Sequence, residues 1–293
     1  MNAPADLARP GSSRPPLILG DTRVTFLNGG RLSLDGGAMF GIIPRPLWER
    51  LATPDASNRV PLTTTCLLVE TAGRRLLIES GVGSKYDDKE RSIFAISEYW
   101  LLDSLAAAGV DPASIDTVIL THLHFDHAGG ITRAVPGETP RPTFPRARVV
   151  VQKGEWADAT TGHAVMTGTY RRENLEPLEA AGVLAPVDGE AEIAPGVSVR
   201  PLPGHTRHQQ GVVIRGGGRT LLHTADLVPT AAHVGLRYNM AYDLDPFGNM
   251  LKKRLILDEA LAGGYTLLLG QDPNWPTWRA VAGAKGVQLE RAE

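Results

Sequence analysis

Apolar positions along the chain fall first into short runs with strand spacing. Arg23-Val24-Thr25-Phe26-Leu27 alternates, and the β-branched and apolar runs Thr63 to Glu70 and Arg75 to Glu79 are separated by Thr71-Ala72-Gly73-Arg74, a hairpin turn by composition. Antiparallel strands therefore dominate the first third. Between them, Gly37 to Arg59 shows no period but carries Met39, Phe40, Ile42, Ile43, Leu47 and Trp48, more apolar surface than a solvated connection holds. It reads as a lid or a subunit contact. From Ile93 to Ala108 the positions Ile96, Trp100, Leu101, Leu105 and Ala108 recur at helical spacing, and Gly109 stands where a capping glycine belongs. After a turn at Asp111 to Ser114, the run Thr117-Val118-Ile119-Leu120 predicts another strand. Further strands are expected over 147–152, 197–202, 210–215 and 220–224, and helices over 175–181 and 246–262. Strands outnumber helices in a mixed order without internal repeats, which predicts an α+β fold.

Composition narrows the function classes. Of 293 residues, 42% are apolar and 21% charged, and 30 basic against 32 acidic side chains leave a net charge of -2. That balance describes a globular protein, and without a basic stripe to neutralise phosphates no nucleic-acid partner is expected. No run approaches the roughly 18 uninterrupted apolar residues of a membrane span, so no membrane partner is expected either. The opening MNAPADLARPGSSRPP has too little apolar surface to offset its ordering entropy and lacks the apolar core of a signal peptide. Residues 1–16 are expected to form a tail and 17–293 a single domain, with a cytoplasmic location. The single cysteine, Cys66, excludes a disulfide within the chain and a thiolate-rich zinc site; inside its strand-like run it reads as a small buried hydrophobe.

One segment announces chemistry. Thr121-His122-Leu123-His124-Phe125-Asp126-His127-Ala128-Gly129-Gly130 places three imidazoles and a carboxylate within six positions directly after an apolar strand. Residues two apart on an extended chain project to one side, so His122 and His124 can share an ion, while the following turn can aim Asp126 and His127 at a second position. Imidazole and carboxylate donors suit zinc, iron or manganese.

The segment resembles the H-x-H-x-D-H signature of the metallo-β-lactamase superfamily. Pro203-Gly204-His205-Thr206 resembles that family's G-H-T loop, and Ala225-Asp226-Leu227 its bridging-aspartate segment. Gly37-Ala38-Met39-Phe40-Gly41 and Met240-Ala241-Tyr242-Asp243-Leu244 resemble the branch with quorum-quenching lactonases, esterases and organophosphate hydrolases. The resemblance implies a four-layered αββα sandwich with metals at one edge. It implies a first ion on His122, His124 and His205, a second on Asp126 and His127, and Asp226 between them. Asp126 would also orient the hydroxide held there. The cofactor expected is zinc, one or two ions per chain, with iron or manganese as substitutes.

The family's last histidine ligand corresponds to Gln271 in Leu269-Gly270-Gln271-Asp272-Pro273, which is expected to weaken or empty the second site, since an amide oxygen is a poor zinc ligand beside imidazole. Glu79 stands where the family usually has aspartate, and Gln209 where the G-H-T loop often has another histidine. His208 and His223 are weighed as replacement ligands, with surface or core histidine as the default for both. His163 reads as a surface histidine. His233, Met39 and Phe40 are candidate substrate contacts, and Tyr238 and Tyr242 candidate donors to a tetrahedral oxyanion. Ser80 and Ser97 have no Ser-His-Asp context, and Gly216-Gly217-Gly218 reads as a hairpin turn.

The expectation is a metal-dependent hydrolase acting on a lactone, ester or similar small-molecule bond. The alternatives are an iron oxidoreductase resembling the superfamily's sulfur dioxygenases, and a weakly active or non-catalytic relative with a degraded second site. β-Lactam hydrolysis is not expected, since no secretion signal is present. A homodimer is the partner expected from the apolar segment Met39 to Trp48.

Overall fold

Leu67 and Val69 point to one side of their strand and Cys66 and Leu68 to the other, and the same alternation in neighbouring strands builds the layers. The computed structural model describes residues 14–96, 99–163, 166, 168–284 and 286–292. The first sheet comprises β1 (Leu17–Leu19), β2 (Thr22–Asp35), β3 (Arg59–Thr71), β4 (Arg74–Ile78), β5 (Thr117–Ile119) and β8 (Arg148–Val150), in the order β1-β2-β3-β4-β5-β8. A hairpin, β6 (Thr132–Val135) and β7 (Glu138–Pro142), lies apart from it. The second sheet runs β15-β14-β13-β12-β11-β10-β9. Its strands are β9 (Ala191–Ala194), β10 (Val197–Pro201), β11 (Gln210–Gly216), β12 (Arg219–His223), β13 (Thr266–Leu268), β14 (Thr277–Gly283) and β15 (Gly286–Arg291).

Between the sheets, Leu67, Val69, Leu76 and Ile78 meet Val197, Val199, Val212 and Ile214. On the outer face of the first sheet, Leu77, Val118 and Val149 are covered by α4 (Leu101–Ala107) and α7 (Arg172–Ala180) through Leu101, Leu105, Leu175 and Leu178. On the outer face of the second, Val213, Leu222 and Leu267 are covered by α8 (Pro246–Gly263) through Ile256, Leu257 and Ala260. This is the expected αββα sandwich, and burial on both faces explains why the central strands read as continuous apolar runs. β4, β5 and β8 are parallel to one another, and β12 is parallel to β13, with Ile78 opposite Ile119 and His223 opposite Leu268. The ends of β4, β5, β12 and β13 lead into the segments that carry Glu79, His122, Asp226 and Gln271, as open parallel arrangements present their sites.

The sequence pattern misjudged four places. β2 runs to Asp35 through an irregularity at Asn28 to Arg31. The segment expected without regular structure holds α1 (Gly36–Phe40) and α2 (Arg45–Trp48), with Met39, Phe40 and Trp48 buried in a core cluster with Leu32, Leu62 and Met240. Ile42 and Leu47, 84% and 49% exposed, stay at the surface. The helix expected over 93–108 is two helices, α3 (Asp88–Ile93) and α4, because Asp87 and Glu90 form a capping box and Ala95 takes a left-handed φ of 43° between them. Residue 97, with its expected serine, lies outside the described residues. So do residues 1–13 of the expected tail, but Arg14 is docked: its guanidinium donates to Thr277 Oγ1 (2.6 Å) and Ala292 O (3.0 Å) and stacks on Phe26 and Trp275. The remaining helices are α5 (Phe125–Ala128) and α6 (Lys153–Thr160). Among the described residues no helix is long and apolar enough to cross a membrane.

Lys253 of α8 is fully buried and donates to His233 O, Tyr238 O and Asn239 Oδ1 at 2.9–3.0 Å, tying the loop after β12 to the helix. Burial lowers its ammonium from 10.5 to about 8, against the pull of Asp243. Between those values the unfolded chain holds a proton that the folded chain has released, so this group makes stability rise with pH across that window. Lys253→Met should cost about 1–3 kcal/mol at pH 7, because three buried acceptors lose their donor. Urea unfolding should show the gap from the parent chain widening between pH 8 and 10; a gap that stays constant would contradict this account.

Candidate metal centre

Each donor is placed by a strand end. β5 runs into Leu120 to His124, His124 then caps α5 with φ -62° and ψ 155°, and the single turn of α5 itself carries Asp126 and His127. Asp226 and Gln271 each stand three residues beyond the paired His223 and Leu268 at the ends of β12 and β13. His205 comes from the loop between β10 and β11, whose Gly204 has φ 148° and lies so close to α8 that a Cβ there would sit 2.6 Å from Asn249 Oδ1. Only glycine fits that approach.

Two donor groups result. His122, His124 and His205 bring one ligand atom each within 4.8 Å of one another, and so do His122, His127 and Asp226. His205 Nε2 faces His124 Nδ1 at 3.0 Å and Asp226 Oδ2 at 3.6 Å; His127 Nε2 lies 3.3 Å from Asp226 Oδ1 and 3.5 Å from Asp126 Oδ2. All are buried, His124 most open at 9%. His122 Nδ1 pairs with Thr121 Oγ1 at 3.0 Å, and its Nε2 is a buried atom with no hydrogen-bond partner among the described residues. Imidazole lone pairs and carboxylate oxygens converging on one dry volume are the donor set a divalent ion takes.

Electrostatics agree with that reading. Burial, with the neighbouring histidines, pushes His122 and His124 well below the usual histidine range, so both are neutral. Burial also opposes charge on His127, but Asp126, Asp226 and Glu79 outweigh it and raise it well above that range. Asp226 is held low despite burial by His127, His205 and His124, whereas burial, reinforced by Asp226, raises Asp126. The group attracts positive charge.

Three supporting residues escaped sequence reading. Asp243 accepts from His205 Nδ1–H at 2.9 Å and is held in turn by Met240 N and Asn249 Nδ2. Glu155, fully buried in α6, accepts from Leu123 N, Tyr170 Oη and Thr206 Oγ1, bolting the His122–His127 loop to the His205 loop. Glu155 carried no signal beyond being an acidic residue beside apolar ones, and Asp243 stood in the segment Met240 to Leu244, which resembles the lactonase branch, with no role attached to it. Glu79, weighed from sequence, sits beside the site at φ 64° with Oε1 accepting from Thr121 N (3.2 Å) and 3.5 Å from His127 Nδ1. The third missed residue is Lys253.

Other expected residues fall outside the donor groups. His233 was expected to touch substrate, but Thr230 Oγ1–H donates to its Nδ1 and its Nε2–H donates to Met39 O, both at 2.8 Å, and Phe40 stacks on it at 4.8 Å. Burial lowers it to about 4, against the Met39 carbonyl, so it is a neutral structural ring. Met39 and Phe40 are at most 1% exposed and border a separate cleft of about 420 Å³. His223 accepts from Ala225 N and stays out of both groups; His208 is half-exposed at the surface, and His163 is exposed. Tyr242 is raised by burial and by Asp35 and Asp126, which keeps its phenol protonated. Among the described residues neither the Tyr238 nor the Tyr242 hydroxyl has a hydrogen-bond partner.

Residues 59–270 match the sequence profile of the metallo-beta-lactamase superfamily. The chain belongs to this superfamily. An N-acyl homoserine lactonase of Azorhizobium caulinodans is 28% identical over 186 residues, 60% of this chain and 66% of the relative's length. A solved structure of a probable metal-dependent hydrolase from Staphylococcus aureus superposes with a TM-score of 0.86 at 29% identity, over 94% of this chain and 99% of its own. A dizinc quorum-quenching lactonase in complex with a product shares the fold, with a TM-score of 0.79 at 18% identity over 95% and 97% of the two chains.

Within this metallo-beta-lactamase fold, Asp243 orients the His205 ring and makes it a stronger donor. Asp243→Asn keeps an acceptor but removes its charge. Zinc affinity, read by competition with a chelator, should fall roughly 10-fold or more with the fold intact by circular dichroism. Unchanged affinity would reduce Asp243 to a loop contact.

Proposed function

We propose that the chain is a metal-dependent hydrolase of small-molecule ester bonds, with a lactone as the first substrate to test. The carrying observation is the convergence of buried His122, His124 and His205, with Asp226 beside them, on one volume into which the unpartnered His122 Nε2 points. Zinc is the ion these donors suit best. Bound there, it would lower the pKa of a water toward neutrality and polarise the scissile carbonyl.

The chain's own groups do the rest. Asp126, a buried carboxylate at the start of α5, is the group proposed to orient the attacking water and accept its proton. Tyr242, protonated and with its hydroxyl uncommitted among the described residues, is the donor proposed for the developing oxyanion, with Tyr238 as the reserve for that role. Substrate enters from the side of His124, whose ring contacts Tyr170 at 4.9 Å. There a cleft of about 940 Å³ bordered by Phe94, Phe125, Trp156 and Met166 offers apolar surface to an acyl group. The lactonase among the relatives supports this substrate class.

Lactone or ester turnover should disappear in a chelator and return with added zinc; chelator-resistant turnover would contradict the proposal. Oxygen uptake with a persulfide and no ester hydrolysis would point to the iron oxidoreductase instead. Tyr242→Phe should lower kcat by roughly 100-fold with KM little changed. An unchanged kcat would assign Tyr242 to packing.

A further inference from the structure

The donor group around His127 already contains a side chain. Gln271 Nε2 lies 2.6 Å from Asp126 Oδ2, 3.1 Å from His127 Nε2 and 3.3 Å from Asp226 Oδ2. The residue is 1% exposed, and its backbone is held on both sides: Gln271 N donates to Pro229 O at 3.1 Å, and Gln271 O accepts from Thr63 N at 3.2 Å. The next residue, Asp272, accepts from Ala231, Asn274 and Trp275 amides, so the turn is anchored as well.

Which amide atom faces the carboxylates follows from its neighbours. Reversed, the amide would put a carbonyl oxygen 2.6 Å from a carboxylate oxygen, two acceptors in contact. As it stands, two N–H hydrogens meet two carboxylates, which outweighs a single donor-to-donor contact with the His127 Nε2–H. An ion held by the same three residues needs ligand distances of roughly 2.0–2.2 Å and would lie against those hydrogens. Amide and ion are therefore alternatives.

We propose that Gln271 is a built-in substitute for a second cation: its amide NH2 plugs the position formed by Asp126, His127 and Asp226, and the chain carries a single ion on His122, His124 and His205. This rests on the metal-dependent reading above. It separates the chain from the dizinc lactonase that shares its fold. Asp126 is thereby left as a hydrogen-bonded carboxylate beside the ion rather than a ligand, free for proton transfer.

The test is a titration of metal-free protein with zinc against a chromophoric chelator, which counts sites and ranks their affinities without any substrate. The parent chain should show one tight site. Gln271→His, which removes the plug and supplies an imidazole, should show two. Gln271→Ala removes the plug alone and should show the tight site plus a weaker second one. Two tight sites in the parent chain would overturn the plug while leaving the metal-dependent reading intact. A single site in both variants would also overturn it, because vacating the position would then have admitted nothing. No site in any of the three would remove the metal reading and the plug together.

Discussion

Burying His122, His124, His127 and His205 with Asp126 and Asp226 in one dry volume is unfavourable unless positive charge sits among them. The rest of the structure depends on that constraint. Donors facing each other at 3.0–3.6 Å repel unless a cation or shared proton lies between them, so the edge of the sandwich must hold them there against relaxation. On the His205 side an ion would satisfy the demand. On the His127 side the Gln271 amide meets part of it with two polar hydrogens.

The scaffold resists relaxation by using parallel strand ends and short rigid turns. β4, β5, β12 and β13 deliver Glu79, His122, Asp226 and Gln271 within a few residues of their last paired positions, which leaves little loop length to drift. Glu79 and Ala225 hold left-handed backbone at φ 64° and 50°, costly for residues with a Cβ and maintained only because the surroundings over-determine them. Glu155 and Asp243 then lock the two histidine loops to each other and to α8 through buried hydrogen bonds. Lys253 holds the loop that packs Phe40 and His233 beside the site. Placement of the donors is thus a property of the whole αββα core.

How much of this was legible in the sequence follows from the range of the interactions. The strands that build the central layers are local runs of β-branched and apolar residues, so Thr63 to Glu70 and Thr117 to Leu120 announced themselves, and the histidine motif was readable because its donors lie within six positions. Asp243 and Glu155 were not readable: each acts on a residue more than 30 positions away, and nothing local distinguishes a positioning carboxylate from a solvated one. The apolar segment from Met39 to Trp48 was readable as unusual but not as core, because what buries it, His233 and Met240, comes from the far end of the chain. Gln271 was recognisable as a departure, while the direction of its amide depends on two carboxylates 145 and 45 positions away.

One ion and one amide thus take the positions of two ions. X-ray absorption at the zinc edge of the fully loaded protein tests it most directly. The expected spectrum is a zinc shell dominated by imidazole nitrogens at roughly 2.0–2.1 Å with no metal neighbour at roughly 3.5–4 Å. A metal–metal scattering peak at that distance would contradict it and return Gln271 to the role of a ligand.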